Sequence, residues 1–107
     1  MKLGLVLSTN DPETCWNVFR LGAIARGEGH NVKTFLVNRG VEIEGIKSEK
    51  FDVMGMCGKY MDAGGEMLAC TTCLRFRHKE GSAACPLSSQ KELLKMVEES
   101  DKVLTFG

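Results

Sequence analysis

The sequence has no continuous apolar run of the roughly 18 to 20 residues that a membrane-spanning helix requires. Its first apolar run, Leu3 to Leu7, is too short for a signal peptide and leads straight into polar residues. Charge of one sign is not in excess either, because 14 basic residues balance 14 acidic ones. Nucleic-acid binding usually needs a broad positive field, which this balance does not provide. These absences predict a cytoplasmic protein without a membrane segment or direct nucleic-acid binding.

Internal repeats, low-complexity tracts and linker-like segments are absent as well. The 107 residues are enough for one domain with a modest core, and not for two domains. Apolar residues make up 43% of the chain and charged residues 26%, which are ordinary values for a folded globular domain. The sequence therefore predicts a single domain over residues 1–107.

The chain alternates between predicted strands and predicted helices. The predicted strands are Lys2–Leu7, Val32–Val37, Glu66–Ala69 and Lys102–Phe106. The predicted helices are Pro12 to about Arg26 with Asp11 as N-cap, Glu49 to about Met61, a short helix that follows Cys70–Cys73 and runs through Arg77 or His78, and a helix that follows Ser89 and ends near Ser100. The segments 40–47 and 81–88 are predicted to be a connector and an irregular loop. This alternation predicts right-handed crossovers and an α/β fold, with helices on both faces of a mainly parallel sheet.

Cysteine is abundant, with five residues in a short chain. An odd number without an export signal argues against a disulfide framework. In a reducing compartment, clustered cysteines more often serve metal binding or thiol chemistry. Cys15 and Cys57 are interpreted as small buried apolar residues.

The pair Cys70 and Cys73 lies where a predicted strand ends and a predicted helix begins. Functional groups of parallel sheets gather at such carboxyl edges. The helix dipole and free backbone N–H groups favour a thiolate there, and a basic segment, Arg75 to Lys79, adds positive charge. A thiolate is the reactive form of cysteine. We therefore predict Cys70 as the nucleophile and Cys73 as a supporting or resolving thiol.

Three further residues are candidates for the same pocket. Asn10 and Asn38 follow the first and second predicted strands, so they belong to the same sheet edge. His78 comes shortly after the cysteine pair and is a candidate for steering or protonating a bound sulfur. Asn10 and His78 also have simpler interpretations, because Asn10 fits a helix cap and His78 fits a solvated loop.

Several segments resemble the DsrE/DsrF-like family of small sulfur-relay proteins over nearly the full chain. They are the opening strand, Ala25–Val32 with Phe35–Val37, Arg39–Val41, Leu68–Cys73, and Ser100–Phe106. The resemblance implies a three-layer α/β/α sandwich that assembles as a trimer or hexamer. It also implies a persulfide on Cys70 that is exchanged with sulfur donor and acceptor proteins, without a cofactor or a bound metal. Many members of that family have only the first cysteine, and a second cysteine at the position of Cys73 is found in a subgroup.

A positively biased helix start suits both a thiolate and an anionic persulfide. The resemblance does not distinguish a sulfurtransferase component, which turns over as an enzyme, from a stoichiometric sulfur carrier.

Two alternatives remain open at this point. One is a thiol–disulfide redox protein, although no thioredoxin-like Trp precedes Cys70. The other is a metal or iron–sulfur module whose candidate ligands are Cys57, Cys70, Cys73 and Cys85, although only one close pair exists.

Overall fold

A computed structural model describes all 107 residues and contains one sheet of five parallel strands. The strands are β1 (Lys2–Leu7), β2 (Asn31–Leu36), β3 (Glu66–Cys70), β4 (Leu87–Ser88) and β5 (Lys102–Phe106). Their order across the sheet is β4-β3-β2-β1-β5, and every neighbouring pair is parallel. The helices are α1 (Pro12–Gly27), α2 (Val53–Asp62), α3 (Thr71–Phe76) and α4 (Gln90–Glu99), and a 3-10 helix covers Asn38–Gly45.

Side chains of the strands alternate between two apolar layers, as the pleat of a strand requires. Leu3, Leu5 and Leu7 of β1 belong to the main core cluster, together with buried residues of α1 and α2. Val6 and its neighbours on β2 and β3 face the other way and pack around Met96 of α4. The sheet therefore lies between two helical layers, which confirms the predicted three-layer α/β/α sandwich.

Local capping explains where the helices begin. The Asp11 carboxylate accepts a hydrogen bond from the Thr14 N–H at 2.9 Å, and Pro12 occupies the first turn of α1, as predicted. Asp52 caps α2 in the same way through the Gly55 N–H at 3.0 Å. That cap places the start of α2 at Val53, four residues later than the sequence predicted.

Tyr60 of α2 joins the helix to the sheet beneath it. Its ring is fully buried and its hydroxyl accepts a hydrogen bond from Thr34 at 3.0 Å while donating to the Glu66 carbonyl at 2.6 Å. Two glycines make room for the ring, because a Cβ atom at Gly22 would lie 2.6 Å from it and one at Gly65 would overlap it. Tyr60 thus fixes α2 against both β2 and β3.

The prediction of an irregular segment over residues 81–88 is wrong at its end, where β4 forms. This strand has two residues, too few for any periodicity in the sequence. Its position is set by backbone pairing, since the Ala69 N–H donates to the Pro86 carbonyl at 2.9 Å and Cys70 lies in register with Ser88. β4 therefore brings residues 88–90 to the end of β3.

None of the helices has both the length and the apolar composition needed to span a membrane.

Candidate thiol site

Cys70 is at once the last residue of β3 and the N-cap of α3. Its backbone is extended, and its Sγ accepts a hydrogen bond from the Cys73 N–H at 3.4 Å. The sulfur thus takes the role that a serine or aspartate oxygen plays at other helix starts. The residue is only 3% exposed and packs with Phe35 and Met96.

The environment of Cys70 lowers its thiol pKa below the usual 9.0, in spite of burial. Burial is the largest single influence on this pKa and raises it, because a charged sulfur loses hydration. Hydrogen bonds act in the opposite direction and together outweigh burial. Their donors are the Cys73 N–H, the Cys73 thiol, the Gln90 amide and the Thr72 N–H. Donors aimed at the sulfur favour the thiolate, which is the nucleophilic form.

The pKa of Cys73 changes in the opposite direction. Burial is the largest influence and raises the pKa of Cys73, and the hydrogen bond of its thiol to Cys70 raises this pKa further. The Asn38 N–H donates to the Cys73 Sγ at 3.3 Å, and this contact together with the charge of Arg77 only partly offsets the increase. Cys70 and Cys73 therefore form an unequal pair, in which Cys70 ionises first and Cys73 keeps its proton.

This difference predicts the pH dependence of alkylation. A thiolate reacts and a thiol does not, so labelling of Cys70 by iodoacetamide should reach half its maximal rate below pH 9.0, and labelling of Cys73 above it. Peptide mapping at low conversion measures both profiles in the same sample. Buried Cys57, whose pKa burial raises to about 12, is the internal control and should stay unlabelled in the folded protein. Equal profiles for Cys70 and Cys73 would contradict the assignment.

Asn10 lies in a polar network that reaches the pair only indirectly. Its amide donates to the Glu42 carboxylate at 3.1 Å, and Glu42 pairs with Arg77 at 2.6 Å. Arg77 in turn donates to the Cys73 carbonyl at 3.0 Å. The hydrogen bond from Arg77 also holds the pKa of Glu42 below its usual value. Asn10 thus helps to hold α3 in place without contacting either sulfur.

The same network forms one wall of a cleft of about 330 Å³. Lys47 and Lys79 complete its rim. The cleft lies on the Arg77 side of α3, whereas the Cys70 sulfur packs on the α4 side of the sheet. The predicted pocket residue Asn10 therefore belongs to this cleft.

Asn38 and His78 are placed differently from one another, although both have positive φ angles, of 51° and 53°. Asn38 takes part in the site through its backbone N–H, which donates to the Cys73 Sγ. His78 follows the far end of α3, its side chain is exposed, and its ring makes no hydrogen bond within the chain. The structure does not bring His78 to the cysteine pair.

Gln90, which no motif in the sequence indicates, does contact the pair. It is the first residue of α4, and its Nε2 lies 3.8 Å from the Cys70 Sγ. Its side chain is exposed and contacts a sulfur that is almost fully buried, so rotation of this side chain offers the simplest access for a reagent. Gln90 reaches Cys70 because the short strand β4 pairs with β3, and no pattern in the sequence predicts β4.

The other three cysteines are buried apart from this pair. Burial raises the pKa of Cys15 and of Cys85 to about 11 and that of Cys57 to about 12, which leaves these thiols protonated and unreactive. All five cysteines are free thiols. No three His, Cys, Asp or Glu side chains lie together as a metal site would require. The geometry therefore gives no support to the four-cysteine metal alternative.

The fold and the site together define a class: an all-parallel, five-stranded α/β sandwich with a cysteine pair at the β3–α3 junction. No known family model matches the chain, and no curated protein matches it. Among solved structures, the chain is similar to a conserved protein of unknown function from Bacteroides thetaiotaomicron, with a TM-score of 0.77 and 15% sequence identity. The similarity covers 98% of this chain and 94% of the other, and at this identity it concerns the fold alone.

Proposed function

We propose that this protein carries sulfane sulfur as a persulfide on Cys70, as a DsrE/DsrF-like sulfur-relay protein. The observation that carries the proposal is the unequal thiol pair at the carboxyl edge of the sheet, with the lower pKa at Cys70. The donors that favour a thiolate at Cys70 also favour an anionic persulfide, because both place negative charge on sulfur. The resemblance of the sequence to sulfur-relay proteins supports the same function.

The loading step is an exchange between a thiolate and a persulfide. The Cys70 thiolate attacks the outer sulfur of a donor persulfide, R–S–SH, and a new S–S bond forms at Sγ. The donor S–S bond breaks, and the donor leaves as the thiolate R–S⁻. The outer sulfur keeps its proton or loses it to water, and no external oxidant or reductant is needed.

Delivery can proceed in two ways. An acceptor thiolate can repeat the same exchange on the outer sulfur. Alternatively, Cys73 can lose its proton to solvent and attack the Cys70 Sγ, which forms a Cys70–Cys73 disulfide and releases the outer sulfur as HS⁻. Cys73 lies in the first turn of α3, which Cys70 caps, and this proximity favours the second route when no acceptor is bound.

Donor and acceptor proteins in the cytoplasm are the proposed partners. Phe76 of α3 is 78% exposed and offers apolar contact area on the helix that carries Cys73. A homo-oligomer, a trimer or hexamer, belongs to the same proposal. Leu94 and Val97 support it, because they form an exposed apolar stripe on the outer face of α4.

A thiol–disulfide redox protein is the second candidate. The position of both cysteines at the start of α3 favours it, because a dithiol with one low-pKa member is the usual arrangement for disulfide exchange. The two candidates differ in what the protein gains, since a carrier takes up a sulfur atom and a redox protein loses two hydrogens.

Intact mass spectrometry tests the proposal. Reduced protein incubated with inorganic polysulfide should gain the mass of one sulfur atom per chain, and dithiothreitol should remove it. Peptide mapping should place the added sulfur on Cys70. Cys73→Ser cannot form the internal disulfide, so this variant should keep the added sulfur on Cys70. A Cys73→Ser chain that gains no sulfur would overturn the carrier function and favour the redox candidate.

A further inference from the structure

The Ser88 hydroxyl is the one buried side-chain oxygen or nitrogen in the chain without a hydrogen-bond partner. Buried polar groups in folded proteins are nearly always paired, because an unpaired one loses its hydration without compensation. The unpaired, buried hydroxyl of Ser88 therefore needs a physical explanation. The known reasons for such a group are local strain, a bound water or ion, and a role in the chemistry of the site.

Ser88 stands directly beside Cys70. The two residues are register partners on the neighbouring strands β4 and β3, so their side chains project from the same face of the sheet. The backbone of Ser88 is held in place, since its carbonyl accepts a hydrogen bond from the Thr71 hydroxyl at 2.7 Å. Strands in a sheet are only about 4.8 Å apart. The hydroxyl is nevertheless not bonded to the Cys70 Sγ.

We propose that the Ser88 hydroxyl binds the outer sulfur of the Cys70 persulfide. The inner sulfur already has its own donors, the Cys73 N–H at 3.4 Å and the Gln90 amide at 3.8 Å. An outer sulfur extends about 2.0 Å beyond Sγ and needs a donor of its own. Ser88 is the neighbouring donor that is still free. This inference rests on the proposed sulfur-carrier function and adds the residue that recognises the transferred atom.

Ser88 takes part in no covalent step. The S–S bonds that form and break in loading are those of the persulfide exchange described above. The hydroxyl donates a hydrogen bond to the outer sulfur and keeps its own proton. Hydrogen bonds to a charged acceptor are the stronger ones, so the contact favours the anionic persulfide and slows its loss.

Ser88→Ala tests this role in the full-length protein. The variant should fold at least as stably as the wild type, because it removes an unpaired buried group. The pH profile of Cys70 alkylation before loading should not change, since the hydroxyl makes no hydrogen bond to Sγ. After loading with inorganic polysulfide, the variant should lose its sulfur to dithiothreitol about tenfold faster than the wild type.

Two further variants complete the test. Ser88→Thr keeps the hydroxyl and should restore most of the persulfide lifetime. Ser100→Ala removes a hydroxyl that is bonded to the Met96 carbonyl at the other end of α4, and should behave like the wild type. A Cys73→Ser chain, which cannot resolve its persulfide, that gains no sulfur would overturn the sulfur-carrier function itself. A wild-type chain that loads normally, with Ser88→Ala losing sulfur at the same rate, would overturn only the role of Ser88 and indicate that water pairs with it.

Discussion

Cys70→Ser should abolish sulfur uptake from inorganic polysulfide. A serine hydroxyl stays protonated at neutral pH and cannot form a persulfide. None of the three buried thiols can replace Cys70, because burial keeps Cys15, Cys57 and Cys85 protonated. Cys73 cannot replace it either, since its pKa is raised rather than lowered. Intact mass spectrometry of the loaded variant measures the result directly.

Cys73→Ser is the matched variant, because it removes the neighbouring sulfur and leaves Cys70 in place. It should still gain one sulfur atom. Its persulfide should also last longer than that of the wild type, since the internal attack that releases HS⁻ is lost. Full loading of Cys70→Ser would show that another cysteine carries the sulfur. An unchanged persulfide lifetime in Cys73→Ser would show that Cys73 does not act as a resolving thiol.

Tyr60→Ala should have the largest effect on stability, with a loss of about 3–5 kcal/mol in the free energy of unfolding. The substitution leaves a cavity where the ring packs against Gly22 and Gly65. It also removes the acceptor of the Thr34 hydroxyl, which is fully buried and would be left unpaired. Domains of this size are stable by only about 5–15 kcal/mol, so the variant should be partly unfolded at physiological temperature.

Tyr60→Phe separates the two contributions, because it keeps the ring and removes the hydroxyl. It should cost about 1–3 kcal/mol through the unpaired Thr34. Ile24→Ala is the control at an exposed position, 55% accessible on α1, and should change stability by less than about 0.5 kcal/mol. Urea unfolding followed by circular dichroism measures all three. A Tyr60→Ala protein as stable as Ile24→Ala would contradict the packing of the Tyr60 ring against Gly22 and Gly65.

The unequal pKa values of the cysteine pair arise from only part of the contacts that the sequence predicts. The basic segment from Arg75 to Lys79 is predicted to favour the thiolate through its charge. In the structure, Arg77 is the only one of these residues among the influences on the pair, and it acts on Cys73. The backbone N–H groups at the helix start favour the Cys70 thiolate as predicted, and the Gln90 amide, which the sequence does not indicate, adds to them. Long charged side chains turn toward solvent, whereas backbone donors at a helix start are fixed in place.

The sequence by itself determined the α/β class, the bounds of β1 and β5, the cap at Asp11 and the location of Cys70 between a strand and a helix. These features depend on neighbours in the chain: apolar runs, caps and turn residues act over a few positions. Only the tertiary structure decided which groups meet at the thiols. Ser88 and Gln90 lie 18 and 20 positions after Cys70. They reach it because β4 pairs with β3, and a two-residue strand is held by backbone hydrogen bonds to its neighbour, which leave no pattern in the sequence.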